Sequence, residues 1–237
     1  MRKQSLFEIP VYIERAKKHQ LISDYMTKEI LPVYLKQLKK QNNKTDDFKH
    51  GAELGGAYSH LSTIGHENTN KNDDTLETVY SDYFPGAPEV DNQLLHDLYL
   101  PNIKTLMNRL KFSKDVDWNI NGYYWYNITE RGGSQDTHDH IMGPTCNTIC
   151  GIHYIEFDEK ELSPAFFINP QEQLMRPTYP SKDTKMVPES FKNLISAPSV
   201  KEGEIVWFPP WLKHTVAKQM SDKRRITMAM DITITHE

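Results

Sequence analysis

Three histidines and one arginine carry the chemistry this sequence offers. His138 and His140 lie two positions apart, His214 lies far downstream, and Arg225 follows it by eleven positions. The segment holding the first pair is patterned for a strand. Strand side chains alternate faces with a period of two, so the two imidazoles should point the same way. They can then bind one metal ion together, with His214 as a third ligand from a distant strand. Imidazole suits iron, zinc, copper and nickel, and a three-ligand set leaves positions open for oxygen or a cosubstrate. Arg225 could hold a carboxylate of that cosubstrate in bidentate geometry. Each feature also has a plain reading. The chain has ten histidines, so a pair two apart can arise as surface residues at a strand end, and His214 alone would pass as structural.

The elements that must position these residues follow from patterning. After about residue 115, short aromatic and β-branched runs alternate with turns: 118–128, 145–157, 165–168, 205–208 and 225–234. This is the spacing of an all-β barrel or sandwich. Gly132-Gly133 supplies a turn before the histidine pair. Gly203 permits a tight turn before the strand 205–208, which Pro209-Pro210 end just short of His214. Arg225 and Thr227 share one face of the last strand, and an inward arginine is costly unless an anion pairs with it. Upstream, 5–14 reads as a short strand. Residues 15–40 carry Ile22, Tyr25, Met26, Ile30, Tyr34 and Leu38 at helical intervals, with a break or kink expected at Pro32. A second helix is expected over 92–110, with Pro101 arguing for a break inside it. The polar stretch 41–75 and the proline-rich stretch 171–199 read as long loops, positioned to supply a substrate surface. The expected division is a helical support region with one strand over 1–115 and a β core over 116–237, the two forming one integrated domain.

Bulk properties narrow the function class. The chain has 237 residues, 38% hydrophobic and 11% aromatic, enough for a buried core. A net charge of −4 argues against a nucleic-acid surface, although Lys36, Lys39, Lys40, Lys44 and Lys49 form one basic stretch, most simply a solvated helix end and loop. Cys146 and Cys150 are four apart in a segment that reads as extended, which would separate their α-carbons by roughly 13 Å, too far for a disulfide. Both read as reduced core residues of an intracellular protein. No leader-like apolar run follows Met1-Arg2-Lys3-Gln4, and no stretch approaches the length of a membrane span. A cytoplasmic location without membrane association is the expectation.

Taken in order, the motifs resemble those of the iron(II)- and 2-oxoglutarate-dependent oxygenases, in particular the compact group related to prolyl hydroxylases. The matching residues are Trp125 and Asn127, then Gly132, Gln135, His138 and His140, then Gly151 to Tyr154, Gly203 to Pro209 with His214, and Arg225-Ile226-Thr227. The resemblance implies a mainly β (α+β) fold with N-terminal helices around a double-stranded β-helix, the cupin-like jelly roll. It implies Fe(II), 2-oxoglutarate and O2 as cofactors and cosubstrates. His138, His140 and His214 would be the metal ligands. Arg225 and Thr227 would bind the far carboxylate of 2-oxoglutarate, with Tyr126, Tyr154 and Asn127 as candidate helpers. The reaction implied is decarboxylation of 2-oxoglutarate to succinate and CO2, coupled to hydroxylation of a protein side chain or small molecule.

One departure matters. Most of the superfamily carries His-x-Asp where this chain has His138-Asp139-His140, although the subgroup it resembles shows His-x-His. Three neutral imidazoles leave the site one negative charge poorer. Asp136 shares the strand parity of the histidines and is the alternative ligand, or a partner for an imidazole N–H; Asp139 should point away. Two other readings stand beside the oxygenase: a cupin-like three-histidine dioxygenase that uses no 2-oxoglutarate, and a non-catalytic β-barrel binding module.

Overall fold

The computed structural model describes residues 9–42, 60–62, 89–141, 147–171 and 195–236. Among them, ten strands form two antiparallel sheets. In chain order the strands are β1 (Tyr12–Arg15), β2 (His60–Ser62), β3 (Asn119–Thr129), β4 (Gln135–His138), β5 (Ile149–Glu156), β6 (Ala165–Ile168), β7 (Ile195–Ser196), β8 (Glu204–Phe208), β9 (His214–Val216) and β10 (Arg225–Thr235). The larger sheet runs β1-β8-β5-β10-β3-β2, the smaller β4-β9-β6-β7. The described residues are mainly strand, with the helices between β1 and β3, which fits the barrel or sandwich that the patterning predicts and the mainly β fold that the resemblance implies. The expected strand over 5–14 appears only as β1, and its first residues lie outside those described. Most of 41–75 and 171–199 lies outside them too, but β2, inside the first of these expected loops, adds an edge strand beside β3. Lys44, Lys49 and Cys146 likewise lie outside the described residues, whereas Cys150 is buried.

Strand parity sorts the large sheet into two faces. Ile226, Met228, Met230, Ile232 and Ile234 of β10 join Tyr124, Tyr126 and Ile128 of β3 in a buried cluster with the helices. The alternate residues face the smaller sheet, where Cys150, Ile152, Tyr154, Val206 and Phe208 pack against Ala165, Phe167 and Val216. The functional residues belong to this second, interior face. Gly203 takes φ +84° in the turn before β8, a conformation glycine adopts without strain, and its N–H bonds the carbonyl of Tyr154 at 2.7 Å.

Helix α1 (His19–Tyr25) leads through a π turn, Met26–Ile30, into α2 (Leu31–Asn42). The expected break at Pro32 takes this form. Leu31 N–H reaches back five residues to the Met26 carbonyl, and Pro32, which has no N–H to donate, enters the first turn of the helix that follows. Helix α3 (Asn92–Arg109) corrects the expectation at Pro101, because it runs through the proline unbroken. Burial of Leu95, Tyr99, Ile103 and Leu106 along one side outweighs one lost ladder bond. Next to the proline, Asn102 accepts from Lys17 N–H at 2.9 Å and donates to the Arg15 carbonyl at 3.1 Å, fastening α3 to the end of β1. No helix among the described residues is long and apolar enough to cross a membrane.

Candidate metal centre

Antiparallel pairing of β4 and β9 sets His138 directly opposite His214, with ring centroids 4.2 Å apart. His140 arrives differently from the sequence expectation. Strand β4 ends at His138, so His140 lies beyond the ladder and no strand period aims it. Its backbone N–H instead donates to the Pro210 carbonyl at 2.8 Å, which ties it to the segment leading into β9. A register slip between Gln135 and His138 marks a bulge in the same strand, a common device for re-aiming side chains. The His140 ring comes 5.4 Å from that of His138 and 5.1 Å from that of His214. One ligand nitrogen from each histidine lies within 4.8 Å of the other two.

Each ring is held through Nδ1 by an oxygen. His138 Nδ1 lies 2.8 Å from the Asp136 carbonyl, His214 Nδ1 3.2 Å from the Leu212 carbonyl, and His140 Nδ1 2.8 Å from Asp231 Oδ1. Carbonyl and carboxylate oxygens only accept, so each Nδ1 carries the hydrogen and Nε2 is left for a ligand. His140 Nε2 is buried with no hydrogen-bond partner. Burial holds the pKa of His138 below its ordinary value and that of His214 well below it, and the neighbouring imidazoles add to the effect. Imidazoles with Nε2 left for a ligand fit iron(II), and by donor type also zinc, copper or nickel.

Of the two nearby carboxylates named from sequence, neither joins this cluster. Asp136 contributes its backbone carbonyl while its side chain is exposed. The carboxylate that contacts a histidine is Asp231 of β10, which sequence reasoning missed. A signal for it existed: Arg225, Thr227, Ala229 and Asp231 alternate with Ile226, Met228, Met230 and Ile232, so Asp231 extends the face that Arg225 begins. Trp125 was read only as part of a motif; its ring stacks on His140 at 5.6 Å and 26°.

Arg225 and Thr227 sit on the interior face, 2% and 1% exposed. Among the described residues Arg225 touches only neutral groups. It makes a long, weak contact of 3.4 Å to Thr227 Oγ1, bonds the Tyr154 side chain, and lies 5.4 Å from that ring's centroid. Its Nε is buried and unpartnered. Among the described residues no carboxylate pairs with it. Burial lowers its pKa, opposed by Tyr154, and its charge helps to depress His214. The cation and the histidine cluster are therefore close enough to interact. Asn127 stands opposite Thr227 in the β3–β10 register, with Oδ1 buried and unpartnered. Tyr154 pairs with Thr227 from the other side, and its hydroxyl accepts from Ala165 N–H at 3.0 Å. Tyr126 is corrected. It neighbours Asn127 in β3 and so points to the opposite face, into the helix-side cluster.

Residues 123–231 match the family model described as 2OG-Fe(II) oxygenase, and this span includes all three histidines and Arg225. That match covers nearly half of the chain and agrees with the resemblance read from the motifs. No curated protein matches the sequence. Among solved structures the chain is similar to a 2OG-Fe(II) oxygenase family oxidoreductase from Burkholderia pseudomallei, at 10% identity and a TM-score of 0.42, covering 62% of this chain and 58% of that one. It is also similar to a viral collagen prolyl hydroxylase of Paramecium bursaria Chlorella virus-1, in complex with 2OG, at 12% identity and a TM-score of 0.39, covering 61% and 75%. A third similar structure is HygX of Streptomyces hygroscopicus with nickel, 2-oxoglutarate and hygromycin B, at 11% identity and a TM-score of 0.37, covering 57% and 64%. The chain thus spans less than two thirds of the Burkholderia protein's length. At TM-scores this low, none of these likenesses bears on the site.

Proposed function

We propose, on the premise that residues 123–231 carry a 2OG-Fe(II) oxygenase core, that the protein hydroxylates a protein side chain or small molecule while converting 2-oxoglutarate to succinate and CO2. His138, His140 and His214 would hold iron(II) through their Nε2 atoms. Arg225 would take the far carboxylate of 2-oxoglutarate, with Thr227 and the Tyr154 hydroxyl beside it and the Asn127 amide lining the same wall. When bound, the iron would bring the keto acid and dioxygen together and supply the oxidation. The chain's own work is to fix those groups and keep water away. Phe208 and Phe167 pack on His214 at 4.8 and 5.8 Å, and Trp125 covers His140, which gives the site apolar walls. Tyr123, Ile141 and Trp211 are exposed close to His140 and would offer a substrate its first apolar contacts.

The observation that carries this reading is Arg225. A fully buried guanidinium with only neutral partners among the described residues needs an anion, and the far carboxylate of 2-oxoglutarate would supply one. A three-histidine dioxygenase without 2-oxoglutarate has no use for that charge. The test is succinate formation from 2-oxoglutarate in air with added iron(II). We expect the wild type to form succinate only when both are present. The Arg225→Ala variant should need at least ~30-fold more 2-oxoglutarate for half-saturation, as expected for losing a buried charge-assisted contact. Iron bound without any succinate would favour the three-histidine dioxygenase. No iron binding would favour the non-catalytic barrel.

A further inference from the structure

Replacing a carboxylate ligand by His140 should cost the iron site a negative charge. The structure holds a carboxylate one step further out. Asp231 Oδ1 accepts from His140 Nδ1–H at 2.8 Å, and the two side chains are only 17% and 8% exposed. Asp231 is fixed by ladders on both sides, opposite Cys150 in β5 and Tyr123 in β3. The Cys150 thiol, kept protonated by burial and by Asp231 itself, donates to the same carboxylate. On its open face His140 is clamped by the stacked Trp125 ring.

Two other readings of Asp231 fit less well. As a direct ligand it would have to reach an ion shared with His138 and His214, but the cluster of mutually close ligand atoms that contains those two residues does not include it. His140, Cys150 and Asp231 do form a second close group. Within that group, however, both His140 and Cys150 already bond the carboxylate, and the remaining His140 nitrogen belongs to the first cluster. What remains is a hydrogen-bonded relay that ends on a metal-facing nitrogen. A carboxylate accepting the distal N–H of a ligating imidazole fixes the ring and makes the ligating nitrogen more basic.

We propose that Asp231 is the positioning residue of the metal site: acting through His140, it supplies the negative charge that an aspartate at position 140 would supply directly. This rests on the reading of the three histidines as iron ligands. The experiment compares wild type, Asp231→Asn and Asp231→Glu without oxygen. Iron(II) affinity is measured by competition with a chromogenic chelator, the charge-transfer band by adding 2-oxoglutarate, and the fold by urea unfolding of the metal-free proteins. Asn can still accept the hydrogen bond but carries no charge. It should weaken iron(II) binding by about 10–100-fold and move the band to shorter wavelength, because a poorer donor set makes the iron harder to oxidise. Glu should recover part of both effects, and the metal-free unfolding midpoints should stay close together. The proposal is overturned if Asn binds iron as tightly as wild type with the band in place. It is also overturned if Glu does no better than Asn, or if both variants lose the fold without metal, since the pair would then hold the barrel rather than the ion. A wild type that binds no iron fails on the parent reading instead.

Discussion

Arg225 is the residue at which stability and function are most directly opposed. Its guanidinium is buried against a hydroxyl and a tyrosine side chain, and its Nε has no partner. Exchanging a buried charge for an apolar side chain of similar volume often leaves a protein unchanged or more stable by about 1–4 kcal/mol. Arg225→Met should therefore raise the melting temperature of the ligand-free protein by up to several degrees, while 2-oxoglutarate added to the metal-loaded variant should raise it less than in wild type. Scanning calorimetry with and without ligand reads both effects, and a ligand-free Arg225→Met that melts well below wild type would contradict the charge argument. At this scale much of the candidate constellation was legible in the sequence. The three histidines, Arg225, Thr227, Asn127 and Tyr154 all reach the interior face. Tyr126 was misplaced because a motif was matched without applying strand parity to its neighbours. Asp231 was missed because the strand parity that places it on the Arg225 face was not carried to the end of β10, and its contact with His140 needs the fold to be seen.

Elements aim these residues through a few local devices. The bulge in β4 and the His140–Pro210 bond bring a residue beyond the strand into the cluster; period two alone predicted the right convergence for a partly wrong reason. Gly151, the third residue of β5, shows how close the large sheet packs. A Cβ there would lie 2.7 Å from the Trp207 ring and 3.0 Å from Met230 Cγ. Gly151→Ala should cost about 1–3 kcal/mol through overpacking, measured by urea unfolding, and the folded fraction should still bind metal because the clash is on the helix side. A Gly151→Ala variant as stable as wild type would mean that the Trp207 ring moves freely. Helix α3 marks a limit of local rules. Pro101 predicts a break, yet a helix with one face buried from Leu95 to Met107 continues through it, because tertiary burial is invisible in a local window.

Across the whole molecule, the helices are joined to the barrel by a buried polar chain. His19 Nδ1 lies 3.0 Å from His153 Nε2, and His153 Nδ1 lies 2.7 Å from the Tyr99 hydroxyl. Burial, with nearby Arg15 charge, lowers the pKa of both histidines, His153 far more. Below pH 6.5, the ordinary value, the unfolded chain binds protons that the folded chain refuses. Stability is therefore full above about pH 6.5 and falls as the pH drops. Each such histidine contributes a slope of up to about 1.4 kcal/mol per pH unit. His153→Gln should flatten the stability profile of the metal-free protein between pH 6.5 and 5 by about one proton's worth. Urea titrations across that range check this, and an unchanged slope would show that His153 titrates normally. The mainly β architecture was legible from the spacing of strands and turns. Which face the helices cover was not, because both faces of β10 and β5 are buried and the alternation that usually separates core from solvent is weak there.

The account stands most directly on an anaerobic titration of the metal-free protein with iron(II) and then 2-oxoglutarate, alongside Arg225→Ala and His140→Ala. The wild type should develop the visible band of a keto acid chelated to iron, weakened in Arg225→Ala and absent in His140→Ala. Iron bound tightly by the wild type with no band at any 2-oxoglutarate concentration would contradict it.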